Sequence, residues 1–369
     1  MQFDHQTTTS KPRSGVALII VMLVVLAMGV TAGAFAYAMK VEARLAQNTS
    51  SGGELTWLGL SGVELAKWVL AQQATIPGEA AYHSLNQFWA SGIDNPDLLP
   101  DPYEGLTLRD FAVGDGRITV KILDQERKMN INRAVNDKML LEHALSMTGA
   151  ESSDTDILMS ALIDWTDPDN NSQPGRPAET DDYYSRLNPP YQAKNGPIDD
   201  LGELMKVRGM TPAIFFGVRS ADGTRRDPRR VGGIGQTAMP AGQVVGFKDL
   251  FCAISTPQVN VNTASLGVLT LLLGGDGNAA NAAETIIRNR AGPDGVDGTQ
   301  DDTPAKNPGD VQRLIAGAPP TIPWQSLFAV RSSVFQVIVD TRLGPSHQRY
   351  VALIQQQGQN YITLTFRQQ

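Results

Sequence analysis

A continuous apolar stretch near the amino terminus constrains this chain more than any other feature. Residues 16–39 are 24 positions without a charged side chain. As a helix they extend about 36 Å, slightly longer than the hydrocarbon core of a bilayer. Lys11 and Arg13 precede the stretch, so the positive-inside rule puts the amino terminus in the cytoplasm and everything after Lys40 on the other side. The sequence predicts a single-pass membrane protein with a large extracytoplasmic head.

Three kinds of segment fit this pattern. A secretory signal peptide has a shorter apolar region, although Ala32-Gly33-Ala34 leaves a weak cleavage option. A plain signal anchor is the second hypothesis. In the third, the short basic leader followed by a glycine and an apolar helix resembles a class III leader, which prepilin peptidase cuts after Gly15. That resemblance implies a leader at 1–15, a methylated mature terminus at Val16 and a transmembrane helix at 16–39.

The fifth position of the mature chain carries a second signal. Pilins and most pseudopilins have Glu there, where its charge is thought to pair with the amino terminus of a neighbouring subunit. Counted from Val16, the residue at that position is Ile20. A carboxylate in lipid is costly and is kept only when a partner neutralises it. An apolar residue therefore fits a subunit with no neighbour above it, which is typical of the minor pseudopilin called general secretion pathway protein K.

Beyond the membrane segment, helical and strand patterns alternate. Apolar residues within 40–73 recur at helical spacing and extend the first helix out of the membrane. Alternating runs at 106–113 and 117–123 flank Gly114-Asp115-Gly116, which predicts a β-hairpin. Three further runs near the carboxyl terminus predict strands at 334–339, 350–355 and 361–366. We expect the first helix to pack on a sheet made of these strands.

The middle of the chain, residues 125–331, differs in composition from both flanks. It contains helical runs with many Pro, Gly and Asp residues. Two stretches, 129–134 and 259–265, are internally similar, and in each an Asn can cap the following helix. They predict two helical modules of the SAM-like or helix-hairpin-helix kind, inserted between strands of one sheet. An arginine-rich stretch at 220–243 predicts a disordered loop, and 292–304 is an acidic, glycine-rich insert.

Several motifs occur in the order seen in the K protein of type II secretion systems, which this chain resembles over nearly its whole length. They are Asn-Ile-Asn-Arg-Ala at 130–134, Leu-Ile-Asp-Trp-Thr-Asp-Pro-Asp at 162–169, Tyr183-Tyr184, Pro189-Pro190-Tyr191, Asn195-Gly196-Pro197, the run at 201–210 and the stretch at 259–265. The resemblance implies an α+β pseudopilin fold. In that fold a long amino-terminal transmembrane helix packs on an antiparallel sheet, and a large α-helical domain is inserted.

The resemblance also implies an organisation and a function. The expected segments are a leader (1–15), a transmembrane helix (16–39), the pseudopilin helix and first strands (40–124), the inserted α-helical domain (125–331) and the final strands (332–369). The chain would be a non-enzymatic inner-membrane component whose periplasmic head caps a pseudopilus and aids export across the outer membrane. Expected partners are the I and J minor pseudopilins, other pseudopilins and prepilin peptidase. A minor pilin of a type IV pilus-like filament is the alternative.

Six carboxylates within 164–182 form the clearest candidate site. Hard oxygen ligands on a loop suit Ca²⁺, and members of the resembled family are thought to bind calcium in this domain. A solvated acidic loop is the alternative. The candidate ligands for a structural calcium ion are Asp164, Asp167, Asp169, Glu179, Asp181 and Asp182. A second acidic loop at 294–302 has suitable ligands but the wrong spacing for an EF-hand. It is predicted to be a solvated turn, with a calcium site as the alternative.

Other functional classes find little support. A single cysteine, Cys252, excludes an intrachain disulfide, and the four histidines lie in no metal or nucleophile motif. The net charge is −7, and the formal charge of residues 259–290 is zero, so binding to nucleic acid is not expected. Trp57, Trp68 and Trp89 lie among apolar residues and are predicted to be in the core.

Overall fold

The computed structural model describes residues 14–91, 103–104, 106–150, 152–173, 177–217, 245–314 and 324–369. Most of the predicted leader and the whole arginine-rich stretch at 220–243 lie outside the described residues.

One long helix is followed by a hairpin, a series of shorter helices and three long strands. The helices are α1 (Ser14–Gln73), α2 (Phe88–Ser91), α3 (Ile131–Ala134), α4 (Lys138–Met147), α5 (Ser152–Thr166), α6 (Pro212–Phe216), α7 (Phe247–Leu250), α8 (Leu266–Leu272), α9 (Gly277–Arg290), α10 (Pro308–Leu314) and α11 (Trp324–Leu327), with 3-10 helices at Tyr184–Arg186 and Leu201–Lys206. The strands are β1 (Phe111–Val113), β2 (Gly116–Asp124), β3 (Met129–Asn130), β4 (Phe251–Cys252), β5 (Val259–Asn260), β6 (Phe328–Ala329), β7 (Val334–Leu343), β8 (Ser346–Gln357) and β9 (Asn360–Gln368).

The two halves of α1 have different surroundings. Val16–Ala43 is long and apolar enough to cross a membrane, and none of it is buried against the rest of the described protein. From Leu55 onward, apolar residues recur on one side of the helix and are buried. One continuous helix therefore joins an exposed apolar segment to the packed head.

Five antiparallel strands form the main sheet, in the order β1-β2-β7-β8-β9. β2 and β7 are neighbours, with Ile122 opposite Val337, although residues 125–333 lie between them in the chain. We call these intervening residues the helical unit. Its strands form two short parallel pairs, β3 with β4 and β5 with β6.

Glycines allow α1 to lie close against the sheet. A Cβ atom on Gly59 would overlap the ring of Tyr350, and one on Gly62 would overlap Val339. Alternate residues of β2, β7 and β8 face the helix and form one apolar core with it. This spacing of small residues on α1 sets the distance between helix and strands.

The helical unit has its own apolar core. α4, α5, α8 and α9 contribute buried residues, and large aromatic side chains such as Tyr184, Phe247 and Phe251 are fully buried within it. Because this core is separate from the one beneath α1, the helical unit does not depend on the sheet to bury its apolar side chains.

Two segments of the helical unit, 129–134 and 259–265, have the same local structure. Each begins with a two-residue strand in a parallel pair, and each is followed by a pair of helices. In both, the side-chain oxygen of the first Asn accepts a hydrogen bond from the N–H of the Asn two residues later: Asn130 from Asn132, and Asn260 from Asn262.

The second Asn of each segment binds a residue much further along the chain. Asn132 accepts a hydrogen bond from the N–H of Ile198 at 2.7 Å and donates to its carbonyl at 3.0 Å. Asn262 makes the same two bonds with Ala305, at 2.8 and 2.9 Å. In each case the chain between these partners forms a closed module that contains one acidic loop.

The predicted fold class is confirmed, since an amino-terminal apolar helix continues into a helix that packs on an antiparallel sheet. The SAM-like type of the two modules stays a prediction. The prediction for the tryptophans was wrong in part: Trp89 is buried, but Trp57 and Trp68 are 72% and 41% exposed. They lie on the side of α1 that faces away from the sheet, a direction that apolar periodicity alone did not identify.

Candidate functional site

The candidate metal site begins where α5 ends. Leu162 and Trp165 are buried in the core of the helical unit, and Asp164 is turned inward with them. The N–H of Asp167 still donates to the carbonyl of Ile163 at 2.9 Å, so the chain keeps its helical course one residue beyond α5. The end of this helix therefore carries two acidic side chains into the site.

Asp164 organises the loop that follows. Its carboxylate is fully buried and accepts hydrogen bonds from the N–H groups of Gln173 at 3.0 Å and Ala178 at 3.1 Å. Burial raises the pKa of Asp164, and these hydrogen bonds oppose the shift. Both oxygens are thus occupied in tying the loop to α5, and Asp164 lies beside the candidate ligands without being one of the three that converge.

Asp167, Asp169 and Glu179 form the candidate site itself. Each places one carboxylate oxygen within 4.8 Å of the other two. Oxygens that bind one Ca²⁺ at about 2.3–2.6 Å are no more than about 5 Å apart, so this spacing suits a shared ion. Oδ1 of Asp167 and Oε1 of Glu179 are buried and have no hydrogen-bond partner among the described residues. Buried acceptors without a partner are rare in folded proteins.

The negative charges of the carboxylates at this site repel one another. Burial is the main cause that raises the pKa of Glu179 to about 6; a hydrogen bond from the N–H of Thr180 opposes it, and the carboxylates of Asp164, Asp167 and Asp169 add to it. Burial also raises the pKa of Asp167, with further contributions from Asp169 and Asp164. No lysine or arginine in the described ranges forms an ion pair with the three carboxylates. A cation here would remove the repulsion.

Asn195 is a site residue that the sequence analysis did not identify as a ligand. Its side-chain nitrogen donates to the carbonyl of Asp169 at 2.6 Å and to Oδ1 of Asn170 at 2.7 Å. Its own Oδ1 is buried and lacks a partner within the described part of the chain. Asn195 has φ of 47°, a left-handed conformation that Asn tolerates better than most residues. The only signal in the sequence was the Asn195-Gly196-Pro197 turn.

The donor set fits a hard divalent cation. Three carboxylates and a nearby amide oxygen are all oxygen ligands, and three of these four residues have a buried oxygen that is not hydrogen-bonded. Bidentate carboxylates and water would complete the six to eight oxygens that Ca²⁺ prefers. Such an ion would cross-link the end of α5 to Glu179.

The remaining two predicted ligands lie outside the cluster. Asp182 is exposed and accepts a hydrogen bond from the hydroxyl of Ser172 at 2.6 Å. Asp181 is also exposed, and its backbone carbonyl accepts a hydrogen bond from Ser185. Of the six candidates, the structure brings together Asp167, Asp169 and Glu179, with Asp164 as their neighbour.

The second acidic loop satisfies its carboxylates internally. Arg290 is only 4% exposed, and its guanidinium binds both oxygens of Asp297, at 2.9 and 2.7 Å. Asp301 and Asp302 accept hydrogen bonds from backbone N–H groups of the same loop. The predicted solvated turn is therefore a hydrogen-bonded loop closed around a buried arginine.

A serine, a histidine and an aspartate meet where the helical unit joins the sheet, but they do not form a catalytic triad. The Ser332 hydroxyl donates to Oδ2 of Asp124 at 2.7 Å, whereas Nδ1 of His83 accepts from the backbone N–H of Ser332 at 2.9 Å. A serine nucleophile needs its hydroxyl bonded to the base. Burial lowers the pKa of His83 to about 3. These residues form a structural network.

Comparisons with known proteins agree with this architecture. Residues 120–220 match the family model described as type II secretion system (T2SS), protein K. Type II secretion system protein K of Aeromonas hydrophila is 25% identical over 219 residues, which are 55% of this chain and 61% of that relative. The protein of the same name from Klebsiella pneumoniae is 28% identical over 216 residues, 54% of this chain and 59% of the relative. The matched region thus spans about three fifths of the curated relatives.

A solved structure extends the likeness to most of the fold. It is the crystal structure of the GspK-GspI-GspJ complex from the type 2 secretion system of enterotoxigenic Escherichia coli. The match has a TM-score of 0.61 at 18% identity and covers 88% of this chain and 99% of the other. At this identity the likeness establishes a shared fold. Together these matches confirm the resemblance to type II secretion system protein K that the sequence indicated.

Proposed function

We propose that this chain is a minor pseudopilin that caps the tip of the periplasmic pseudopilus of a type II secretion system and aids protein export across the outer membrane. The observation that carries the proposal is α1, which runs unbroken from an exposed apolar segment into a helix packed on the sheet. The helical unit makes the head bulky, which favours the tip over the crowded interior of a filament. The role is structural and non-enzymatic.

The apolar half of α1 is the proposed inner-membrane anchor, with the amino terminus in the cytoplasm and the head in the periplasm. Prepilin peptidase would cut between Gly15 and Val16, and the new terminus would be methylated. Ile20 then leaves the chain without the carboxylate by which other subunits pair with a neighbour. Replacing Gly15 by a bulky residue should leave the precursor uncut and abolish export; normal processing of that variant would contradict the proposal.

The proposed partners are the I and J minor pseudopilins of the same system. The relative of known structure forms a complex with GspI and GspJ. In this chain, Trp57 and Trp68 are exposed on α1. They are eleven positions apart, which is about three helical turns, so both lie on one side of the helix. Exposed tryptophans are frequent anchors of protein interfaces, and we assign this side of α1 to the partner subunits.

Co-purification tests this assignment. The full chain, extracted in detergent, should form a stable ternary complex with the I-type and J-type subunits of its own genome. The double substitution of Trp57 and Trp68 by Ala should weaken the complex at least tenfold, since interface tryptophans commonly contribute more than 1.4 kcal/mol each. Met139→Ala is the matched control, because Met139 is 67% exposed on α4 in the helical unit. Equal effects of the two changes would contradict the assigned surface.

A minor pilin of a type IV pilus-like filament would use the same anchored helix. Deletion of the chromosomal gene separates the two functions. We expect the deletion to stop release of exoproteins and to leave surface pili unaffected. Loss of pili with normal exoprotein release would favour the filament alternative.

We further propose that Asp167, Asp169, Glu179 and Asn195 hold a structural calcium ion. Support comes from the convergence of three carboxylates and from their buried oxygens that lack hydrogen-bond partners. Calorimetric titration of the metal-free chain should give one Ca²⁺ per molecule, and Glu179→Gln should abolish this binding. Asp181→Asn, which changes an exposed carboxylate in the same loop, should leave the titration unchanged. Binding that survives Glu179→Gln would place the ion elsewhere.

A further inference from the structure

The outer face of the main sheet, opposite α1, has a row of basic side chains at one end. Arg117 of β2 lies directly opposite Arg342 of β7, and Arg342 lies directly opposite His347 of β8. The next residues, Ile118 and Thr341, are buried on the α1 side. Because side chains alternate along a strand, the three residues point away from α1, and all three are exposed. We call Arg117, Arg342 and His347 the basic row.

The charge of the basic row is only partly neutralised within the protein. One nitrogen of Arg117 binds the carboxylate of Asp110 at 2.7 Å and its carbonyl at 3.0 Å. Arg349, on the same face, is paired with Asp340 at 2.6 Å. The Arg342 side chain has no ion pair or hydrogen bond to any described residue. Within the described part of the chain, Arg342 is therefore the arginine of the row that has no partner.

The placement of Arg342 directly opposite Arg117 lowers the stability of the sheet. Residues directly opposite on antiparallel strands have Cβ atoms about 5 Å apart, and like charges in such a pair are destabilising. The pair of Arg117 and Arg342 borders an open cleft of about 860 Å³. Its lining also includes the polar Thr119, Gln348 and Gln369, and two carboxylates, Asp110 and Asp340, that are already paired with Arg117 and Arg349. An anion between the two guanidinium groups would relieve the repulsion and receive paired N–H donors.

We propose that the basic row binds carboxylates on the surface of an acidic partner protein. Arginine forks match the geometry of carboxylates, and the polar residues of the cleft supply further hydrogen bonds. The whole chain carries a net charge of −7. Attraction of an acidic surface must therefore come from a local patch, and electrostatic complementarity of this kind mainly sets specificity and association rate.

The distance between the basic row and the apolar segment of α1 favours a protein, rather than lipid headgroups, as the ligand. Gly116, at the start of β2, lies against Leu58 of α1, and Leu58 is about 22 Å along the helix from Ala43, where the apolar segment ends. The headgroup layer is only about 5–8 Å thick on each side of a bilayer. This choice rests on the membrane anchorage in the proposed function, whereas the anion site itself does not.

Binding of labelled poly-L-glutamate to the full chain in uncharged detergent tests the site. We expect saturable binding at low ionic strength that weakens about tenfold between 50 and 500 mM salt, because salt screens exposed charges. Arg342→Gln should weaken binding about tenfold, and Arg342→Lys should weaken it less. Arg288→Gln is the matched control, since Arg288 is an exposed arginine on α9, and it should bind like the parent chain.

Three outcomes would overturn the proposal. They are the absence of binding at 50 mM salt, an equal loss in Arg342→Gln and Arg288→Gln, and displacement of poly-L-glutamate by glycerophosphoglycerol, the soluble headgroup of phosphatidylglycerol, at lower concentrations than by glutamate. The thermal midpoint of Arg288→Gln should match the parent, and that of Arg342→Gln should be equal or slightly higher, because this substitution removes the repulsion between Arg117 and Arg342. The assay contains neither membrane nor partner subunit, so its failure would leave the proposed role in secretion unaffected.

Discussion

The two acidic loops of the helical unit show two ways to hold clustered carboxylates in place. Each loop lies between an asparagine segment and the distant residue that this segment binds. In the second loop, the buried Arg290 provides the positive charge. In the first, Asp167 and Glu179 have buried oxygens without a partner among the described residues. Similar local architecture thus yields one loop whose carboxylates are neutralised within the protein and one with buried carboxylate oxygens that no described residue pairs.

The largest effect is expected from removing the internal cation of the second loop. Arg290→Met would leave Asp297 without its bidentate partner, and broken buried ion pairs typically destabilise by 3–5 kcal/mol. We expect about 3 kcal/mol, because Asp297 keeps 19% exposure. Urea unfolding of the full chain measures the loss, with Arg288→Met on the exposed side of α9 as the control. A loss below 1 kcal/mol would mean that Arg290 does not hold the loop.

Removal of the proposed calcium ion is the corresponding change for the first loop. At a Ca²⁺ concentration one hundred times its Kd, binding stabilises the native state by about 2.7 kcal/mol, and a chelator abolishes this. The Arg290→Met variant should lose the same amount on chelation, because the two loops share no ligand. Unfolding with and without chelator measures both values. A chelator effect that persists in Asp167→Asn would contradict the assignment of the ion to the first loop.

The sequence predicted the parts of the fold that depend on local periodicity. The course of α1 and the strands near the carboxyl terminus follow from apolar spacing, although β7 continues to Leu343 beyond the predicted 334–339. That extension depends on pairing with β2 and β8, through which polar residues such as Thr341 and Arg342 are held in the sheet. Cross-strand hydrogen bonds have no signature in the sequence of a single strand.

The sequence predicted which stretch holds the acidic residues of the site, but not which of those residues converge. The acidic stretch was identified, yet Asp164 differs from Asp167 only in how the chain folds, since Asp164 is occupied by the N–H groups of Gln173 and Ala178. Asn195 lies well beyond the stretch in sequence, and Asp169 holds it through a backbone carbonyl. Which oxygens remain unpaired is decided by tertiary hydrogen bonds that spacing does not encode.

The pH dependence of stability tests how the second module is attached to the sheet. Glu126 accepts hydrogen bonds from the N–H and hydroxyl of Ser333, and its carbonyl accepts from the N–H of Asn260. Burial, and then the nearby Asp124, raise its pKa to about 7, while hydrogen bonds from Ser333 and Thr256 oppose the shift. The folded state therefore holds this proton more tightly than the unfolded chain does.

Because the pKa of Glu126 is higher in the folded state, its protonation contributes to the free energy of unfolding. This contribution is complete below about pH 4.5 and is lost as the pH rises through about 7. We expect Glu126 to contribute a decline of about 2 kcal/mol across this window. The lowered pKa of His83 contributes a rise over part of the same range in parent and variant alike, so the Glu126 contribution is the difference between the parent chain and Glu126→Gln. Urea unfolding of both chains at saturating Ca²⁺, which would hold the proposed ion on Glu179, measures this difference. The stability of the parent relative to Glu126→Gln should fall as the pH rises through this window, and parallel profiles of the two chains would assign the effect to another group.

The smallest expected effect is the difference in stability lost when the second asparagine of each segment is truncated. Asn132 and Asn262 each bind both backbone groups of one distant residue and donate to one further carbonyl, but Asn262 is only 2% exposed and Asn132 is half-buried. Truncation to Ala leaves backbone groups unpaired, and water reaches them more easily around Asn132. Buried groups without partners cost about 1–3 kcal/mol, so we expect Asn262→Ala to destabilise by about 1 kcal/mol more than Asn132→Ala in urea unfolding. Equal losses would mean that both modules close with the same energy, and that their difference lies only in what neutralises the acidic loop.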